Sequence, residues 1–230
     1  ARQASRKRSK TPVAGKFRLI DIPISNSLHA GIDRIYVLTQ FNSESLHRHI
    51  AQTYRFDAFS RGYVNILAAE QSAANKSWYQ GTADAVRQNL RRLVESGAEH
   101  VVVLSGDQLY LMELEHFVGT HVEHDADITI AVKPVSASEA AALGIMQLDA
   151  DRRIIDFVEK PTDPDVVADL SVDEATIAAT GIDAEPGSLL ASMGIYVFKT
   201  EALIRLFEKY DGDDFGKELI PQAVADMDVY

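Results

Sequence analysis

The amino-acid sequence predicts a three-layer α/β fold, in which a mixed, mostly parallel central sheet lies between two layers of helices. Two observations lead to this expectation. Short β-branched segments alternate along the chain with segments of helical periodicity. The continuous apolar run from Val101 to Leu104 is typical of a central parallel strand that is buried on both faces. The 230 residues suffice for one substantial core, so a single domain over residues 1–230 is expected.

The sheet is predicted to be mixed because the later part of the chain changes character. Segments 145–148 and 154–158 are joined by a polar turn that begins at Asp149, which indicates an antiparallel hairpin. The expected strands are 34–39, 64–68, 101–104, 128–133, 145–148, 154–158 and 193–198, and the expected helices are 43–54, 83–96, 111–124 and 200–210.

Charge and hydropathy exclude several classes of protein. The formal net charge of −11 argues against general nucleic-acid binding, which favours basic surfaces. No apolar run approaches the length of a membrane span and no signal-peptide pattern opens the sequence, so we expect a cytoplasmic protein without a membrane partner. The absence of cysteine excludes disulfides and thiolate zinc sites. The acidic segment 163–185 is expected to be a solvated loop, and the basic segment 2–10 is either a frayed terminus or part of a phosphate site.

A carboxylate follows the Val101 run directly, in the segment Ser105-Gly106-Asp107. Ligands of open α/β sheets bind beyond the carboxyl ends of the strands, and Gly106 allows a tight turn there. Such a carboxylate suits Mg²⁺, which takes one or two carboxylates together with water and phosphate oxygens. Asp107 is therefore either a metal ligand or the N-cap of the next helix.

Two later segments offer further charged groups. Asp214 precedes a predicted helix and is either a second metal ligand or part of a capped, solvated turn. Lys160, at the end of the hairpin, offers a compact cation for a phosphate, and Glu159 can accept hydrogen bonds from hydroxyls. An ordinary ion pair at a strand end is the alternative interpretation of these two residues.

The segment Tyr79-Gln80-Gly81-Thr82 leads into the predicted helix 83–96, with Thr82 as the expected N-cap. A glycine at a helix N-terminus favours anions, because backbone N–H groups and the helix dipole point at the ligand. A simple capped helix is the alternative. The sequence contains neither a Walker phosphate loop nor a G-x-G-x-x-G fingerprint, so a Walker-type ATPase is not supported.

Together and in this order, these motifs resemble the glucose-1-phosphate adenylyltransferases, or ADP-glucose pyrophosphorylases. The resemblance covers nearly the whole chain. The matching segments are 17–23, 25–26, 37–40, 78–85, 104–107, 157–161, 192–196 and 214–217. Looser forms of several segments occur in all sugar-nucleotide pyrophosphorylases, whereas 78–85 (WYQGTADA) and 214–217 (DFGK) point to the ADP-glucose branch.

The resemblance implies a Rossmann-like nucleotidyltransferase domain that transfers the adenylyl group of ATP to α-D-glucose 1-phosphate. The products would be ADP-glucose and pyrophosphate, for glycogen- or starch-type glucan synthesis. Asp107, Lys160 and Asp214 would be the catalytic residues, and the two aspartates would hold Mg²⁺. The sugar phosphate would be surrounded by Tyr79, Gly144, Glu159, Lys160 and Ser192, and the nucleotide by Lys10, Gln40, Gln80, Gly81 and Thr82.

Members of the family also have an N-terminal glycine-rich phosphate loop and a C-terminal β-helix domain. This sequence shows neither, so a catalytic domain incomplete at both ends is expected. The resemblance further implies a homo-oligomer, a tetramer, and segment 6–8 resembles a region that binds a phosphorylated allosteric effector. Two other interpretations remain open: a pyrophosphorylase for another nucleoside triphosphate and sugar phosphate, and a non-catalytic regulatory subunit.

Overall fold

The computed structural model describes residues 12–13, 17–40, 44–57, 59–69 and 78–230. The chain divides into two compact units, residues 1–80 with 104–119 and residues 81–103 with 120–230. The strands are β1 (Pro12–Val13), β2 (Phe17–Arg18), β3 (Arg34–Thr39), β4 (Tyr63–Ala68), β5 (His100–Val103), β6 (Ile128–Val135), β7 (Gly144–Leu148), β8 (Ile154–Glu159) and β9 (Leu189–Lys199). The helices are α1 (Asp21–His29), α2 (Glu44–Thr53), α3 (Thr82–Gln88), α4 (Leu90–Glu95), α5 (Leu114–Glu123), α6 (Ala137–Ala140), α7 (Pro164–Asp169), α8 (Glu174–Thr180), α9 (Thr200–Lys209) and α10 (Ile220–Asp226), with a π-helix at Phe215–Leu219.

The first unit is built on a parallel pair of strands, β3 and β4, in register from Arg34 opposite Tyr63 to Thr39 opposite Ala68. Both strands were predicted from their β-branched residues. Helices α1 and α2 complete the core, and α2 lies within the predicted helix 43–54. The buried members of this core are Ile20, Ile24, Val37, Leu46 and Ile50.

A buried carboxylate, Asp21, ties the start of α1 to α2. It accepts hydrogen bonds from the Arg18 backbone N–H at 2.7 Å and from the Tyr54 hydroxyl at 2.9 Å, and His49 Nε2 lies 2.8 Å from both of its oxygens. Burial, followed by the hydrogen bond to Asp21, raises the pKa of Tyr54 well above its ordinary value. No local pattern predicts this network, because its members come from two separate segments, 18–21 and 49–54.

The second unit is organised around β9, which has strand partners along both edges. Strand β6 pairs with β9 from Ile128 opposite Phe198 to Val135 opposite Leu189, while β5 and β7 share the other edge. All of these pairings are antiparallel, and β8 continues the sheet beyond β7. Because β5 and β6 both run antiparallel to β9, they run in the same direction, as the βαβ rhythm through α5 predicted.

The mixed α/β class is confirmed, with an antiparallel share larger than the apolar runs indicated. Within the described residues, the β3–β4 pair and the bridge between Ile128 and Val229 are parallel, whereas the remaining strand pairs are antiparallel. The Val101 strand was expected to have parallel neighbours and complete burial. Instead, β5 is half-buried and pairs antiparallel with β9. An apolar run indicates burial but not the direction of the partner strand, and β9 comes from a distant part of the chain.

The predicted hairpin is confirmed as β7 and β8, with Gly144 opposite Glu159. Its turn is closed by Asp149, whose N–H donates to the Arg153 carbonyl at 2.9 Å and whose side chain accepts from the N–H of Asp151 and of Arg153. Arg152 takes a left-handed φ of 68° there. The polar residues that predicted the turn therefore make its hydrogen bonds.

The acidic segment is not the loop that its charge predicted, because it contains α7 and α8. Asp163 accepts from the Asp165 N–H at 3.0 Å and Asp173 accepts from the Thr176 N–H at 2.7 Å, so both act as N-caps. Gly181 ends α8 with a left-handed φ of 63°. Asp satisfies the first N–H groups of a helix, so acids that suggested a loop also start helices.

The predicted helix 83–96 is two helices, α3 and α4, interrupted at Asn89. The Asn89 side chain donates to the Ala85 carbonyl at 2.9 Å, an alternative to regular helical pairing. Gly81, rather than Thr82, is the N-cap, and Thr82 is the first helical residue. Gly97 follows α4 with a left-handed φ of 69°. In the described ranges, no helix is both long and apolar enough to cross a membrane.

One titratable side chain is fully enclosed in the second unit. His121 Nδ1 lies 2.8 Å from the Thr129 hydroxyl oxygen, and its Nε2 has no hydrogen-bond partner among the described residues. The His100 ring packs edge-on at 5.1 Å between centroids. Burial, helped by repulsion from His100 and Lys199, lowers the pKa of His121 to about 4. The folded protein therefore holds this imidazole neutral.

We expect the free energy of unfolding to decrease as the pH falls from about 6.5 to about 4. Over that window the unfolded chain binds a proton at His121 that the folded state does not, so the loss reaches up to about 3 kcal/mol. Urea denaturation at several pH values measures this decrease in the free energy of unfolding. His121→Gln should flatten the dependence, whereas His124→Gln, on an exposed residue nearby, should leave it unchanged. If the free energy of unfolding of His121→Gln depended on pH as steeply as that of the parent protein, the pH dependence would belong to other groups.

Candidate active site

The carboxyl end of β8 carries the first two residues of the candidate site, Glu159 and Lys160. Lys160 takes a left-handed φ of 52°, and its N–H donates to the Leu143 carbonyl at 2.9 Å. The Lys160 ammonium forms an ion pair with the Glu159 carboxylate. The ion pair that the residue types suggested is therefore present. The left-handed φ of Lys160 ends the extended backbone of β8 at Glu159.

Gly144 makes room for the Glu159 carboxylate. A Cβ at this position would lie 2.8 Å from Glu159 Oε2 and 2.5 Å from the Phe157 ring. Such distances are shorter than real Cβ atoms tolerate, so a side chain here would displace one of these groups. The resemblance assigned Gly144 to the sugar, and the structure supplies a local reason for a glycine in this position.

Ser192 and Tyr196 face the same region from β9. The Ser192 hydroxyl accepts from the Gly194 N–H at 3.1 Å, and Gly194 has a left-handed φ of 67° where the β6–β9 register shifts. Burial raises the pKa of Tyr196 to about 12; the nearby carboxylates of Asp214 and Glu159 also raise it, while a hydrogen bond with Ser192 lowers it. The hydroxyl of Tyr196 therefore stays protonated at neutral pH and can donate a hydrogen bond.

Asp214 precedes the π-helix, and its Oδ1 accepts from the Lys217 N–H at 3.1 Å. It is thus the N-cap that the sequence offered as an alternative, with further lone pairs on the carboxylate. A Cβ built on Gly216 would lie 3.7 Å from Glu159 Oε2, 3.8 Å from Asp214 Oδ1 and 3.8 Å from the Tyr196 hydroxyl. Two carboxylates and a phenol therefore converge on a glycine that has no side chain to separate them.

The start of α3 packs directly on the residue before Asp214. The N–H groups of Ala83 and Asp84 donate to the Asp213 carbonyl at 2.9 and 3.1 Å, and the Phe215 N–H donates to the Thr82 hydroxyl at 3.2 Å. The sequence suggested that the N–H groups at the start of this helix could bind an anion, but here they donate to a backbone carbonyl. These hydrogen bonds hold Gly81 and Thr82 next to residues 213–214, which we call the Asp214 turn.

The remaining predicted residues belong to the first unit. The Gln40 side chain donates to the Tyr79 carbonyl at 2.9 Å, and Gln80 donates to the Trp78 carbonyl at 2.5 Å. Asp107 accepts from the Ser105 hydroxyl at 2.6 Å. The next helix, α5, begins only at Leu114, so Asp107 is not its N-cap.

An open cleft in the first unit, of about 520 Å³, lies between α1 and the chain after Asp107. Its lining includes Arg18, Asp21 and Tyr110, and none of the residues predicted for substrate or metal lines it. The cleft therefore adds no support to the site assignment.

The predicted residues divide between the two units. In the second unit these are Gly81, Thr82, Gly144, Glu159, Lys160, Ser192 and Asp214, and in the first they are Gln40, Tyr79, Gln80 and Asp107. Lys10 lies outside the described residues. Tyr196 was not singled out from the sequence. Period-two alternation does not predict its position beside Ser192, because the left-handed φ of Gly194 interrupts the strand between them.

A divalent cation suits the residue types present. No group of three or more His, Asp or Glu side chains within the described ranges could hold a metal alone. Mg²⁺, however, needs only one or two carboxylates when substrate phosphates and water supply the other oxygens. The carboxylate of Asp107 in the first unit and that of Asp214 in the second are each of the ligand type that this ion takes.

Comparison with known families adds an independent finding: the sequence model of nucleotidyl transferases matches residues 4–230. The chain belongs to the nucleotidyl transferase family. Nucleotidyl transfer is thus the reaction of this protein's family, and nucleotidyl transferases commonly use Mg²⁺. The match covers both units of this nucleotidyl transferase and so includes every described residue of the candidate site.

The contact between Gly81 and Asp213 leads to a stability prediction. A Cβ at Gly81 would lie 2.0 Å from the Asp213 carbonyl oxygen, so Gly81→Ala must push the Asp214 turn away. We expect the free energy of unfolding to fall by about 1–3 kcal/mol, the usual cost of overpacking. The control is Gly119→Ala in α5, where a Cβ meets no atom within 4 Å and alanine favours the helix. Equal stability of the two variants in thermal melts would contradict this contact.

Proposed function

We propose that this nucleotidyl transferase transfers the adenylyl group of ATP to α-D-glucose 1-phosphate, giving ADP-glucose and pyrophosphate. The observation that carries the proposal is the convergence of Glu159, Lys160, Ser192, Tyr196 and Asp214 in the second unit. This set combines one cation with several hydroxyl-binding groups, which is the chemistry that a sugar phosphate requires.

Each residue of this set has a group that suits one part of the sugar phosphate. Lys160 is exposed and presents a compact ammonium that can bind a phosphate oxygen. Glu159 forms an ion pair with Lys160. When a phosphate takes the place of Glu159 at the Lys160 ammonium, the Glu159 carboxylate can accept hydrogen bonds from two sugar hydroxyls. Tyr196 remains protonated and can donate a hydrogen bond, so donors and acceptors are both present.

The proposed reaction is a direct displacement at phosphorus. A phosphate oxygen of the sugar phosphate attacks the α-phosphorus of ATP, and the bond from the α-phosphorus to the bridging oxygen breaks. Pyrophosphate leaves with that electron pair, so no oxidant and no covalent enzyme intermediate is needed. Such transfers depend mainly on the positions of the reactants and on cations near the developing charge. Lys160 would supply one of those charges.

Asp107 and Asp214 are the carboxylates that we propose as ligands of Mg²⁺. When bound, the ion would neutralise phosphate oxygens of the nucleotide and hold them for displacement. In the present structure one contact to each carboxylate comes from a neutral donor, the Ser105 hydroxyl and the Lys217 N–H. These contacts fix the direction of each carboxylate while leaving it its negative charge.

The choice of ATP and of glucose 1-phosphate rests on segments 78–85 and 214–217, which resemble the ADP-glucose branch. We assign Gln40, Gln80, Gly81 and Thr82 to the nucleotide and Tyr79 and Gly144 to the sugar, on the same resemblance. The role of Lys10 in binding the triphosphate, the tetramer and the phosphorylated effector remain predictions of that resemblance.

The direct test is the release of pyrophosphate from the 230-residue chain with Mg²⁺, glucose 1-phosphate and each nucleoside triphosphate in turn. We expect release with ATP, and a loss of at least about 100-fold in Asp107→Asn, because an amide is a much weaker Mg²⁺ ligand than a carboxylate. Faster release with UTP, GTP or dTTP would favour the alternative pyrophosphorylase. Binding of ATP without release in any mixture would favour a regulatory subunit.

A second variant tests the role of Lys160 alone. Lys160→Gln removes a charged contact to the sugar phosphate, so we expect the KM for glucose 1-phosphate to rise about tenfold or more, with a small change in the KM for ATP. Lys209→Gln is the matched control, since it also removes an ion-paired surface lysine, but on α9. A change confined to the KM for ATP would move Lys160 to the nucleotide.

A further inference from the structure

One carboxylate near Asp214 has no part in the proposed chemistry. Glu218 lies within the π-helix Phe215–Leu219, and its side chain turns back toward the preceding turn. Glu218 Oε2 accepts from the backbone N–H of Asp213 at 2.7 Å and of Asp214 at 3.2 Å. A single oxygen atom therefore holds the two consecutive amides that lead into Asp214.

The backbone carbonyl of Asp213 is also hydrogen-bonded, to a different part of the unit. It accepts the N–H groups of Ala83 and Asp84 at the start of α3. Gly81 approaches the same carbonyl so closely that a Cβ there would lie 2.0 Å from its oxygen. The Asp213 residue is thus fixed through its N–H by Glu218 and through its carbonyl by α3.

The π-helix also binds the backbone of Asp214. The carbonyl of Asp214 accepts from the N–H of Glu218 at 3.1 Å and of Leu219 at 3.3 Å, while its carboxylate accepts from Lys217. A π-helical turn is less stable than an α-helical one and is often found at functional sites. Glu218 therefore contacts Asp214 both through its own N–H and through its side chain.

From these contacts we infer that Glu218 is a positioning residue that sets the direction of the Asp214 carboxylate through the backbone of Asp213 and Asp214. The inference rests on the proposed function, in which Asp214 contacts the metal and the reacting phosphates. Without the Glu218 acceptor, two amides lose their partner and the turn relaxes. The Asp214 carboxylate then moves relative to Glu159 and Tyr196, and shifts near 1 Å cost about 100-fold in rate.

Two variants separate geometry from charge. Glu218→Gln keeps one side-chain oxygen, which can accept both N–H groups because both bind the same atom in the structure. Glu218→Ala removes the acceptor. Asp173→Ala is the matched control, because it deletes a carboxylate that accepts from the Thr176 N–H in the same way at the start of α8. Its loss removes a helix N-cap without touching the candidate site.

The full chain would be assayed for kcat, for both KM values and for the Mg²⁺ concentration at half-maximal rate. We expect Glu218→Ala to lose about 10- to 100-fold in kcat and to need more Mg²⁺. Glu218→Gln and Asp173→Ala should remain within about threefold of the parent protein. Equal losses in Glu218→Gln and Glu218→Ala, or an unchanged kcat in Glu218→Ala, would overturn the inference.

A readout that needs no activity keeps this test separate from the proposed function. Amide hydrogen exchange over residues 211–217, followed by mass spectrometry without ligands, should accelerate in Glu218→Ala and not in Glu218→Gln or Asp173→Ala. Unchanged exchange in Glu218→Ala would reject the positioning role. If the parent protein released no pyrophosphate while exchange changed as expected, the proposed function would fail and the control of the Asp214 turn would stand.

Discussion

Backbone pairing along both edges of β9 is the constraint on which the second unit depends. A buried strand must pair its N–H and C=O groups on each side, and β9 does so with β6 on one edge and with β5 and β7 on the other. This arrangement also fixes the site. Ser192 and Tyr196 lie on β9 itself. Glu159 is the last residue of β8, the strand paired to its neighbour β7, and Lys160 follows it directly. Side chains from distant parts of the sequence therefore reach one region because a single strand orders the sheet.

The candidate site departs from regular backbone geometry where it carries its chemistry. Lys160 has a left-handed φ that a lysine adopts only with strain, and Gly194 takes a similar φ beside the β6–β9 register shift. The π-helix after Asp214 is a third irregular element. At each of these places the backbone leaves the direction that an unbroken strand or helix would impose on its side chains. Such irregular conformations cost free energy, which the packing of a folded core can offset and an isolated segment could not.

The charges in the second-unit group are mostly negative. Glu159, Asp214 and Glu218 contribute carboxylates, whereas Lys160 is the cation that the resemblance assigns to the sugar phosphate. Carboxylates repel the phosphates of both proposed substrates, and a divalent cation such as Mg²⁺, which nucleotidyl transferases commonly use, would offset that repulsion. The charge of Glu218 is partly offset by the two backbone amides that it accepts.

The sequence by itself determined the class of the fold, the hairpin and the family. Alternation and turn residues are local signals, and they predicted the mixed α/β class and the β7–β8 hairpin. The motifs around Asp107, Glu159 and Asp214 indicated a nucleotidyl transferase, and the family match over residues 4–230 confirms that family. The antiparallel partner of β5, the contact of α3 with Asp213, and the surroundings of Tyr196 and His121 could be read from the folded chain alone. Each of these depends on groups that are far apart in the chain, and no local pattern records which of them will meet when the sheet forms around β9. The N-caps of the acidic segment and the contacts of Glu218 are local, but the same residue types also occur in solvated loops, so the sequence did not distinguish them.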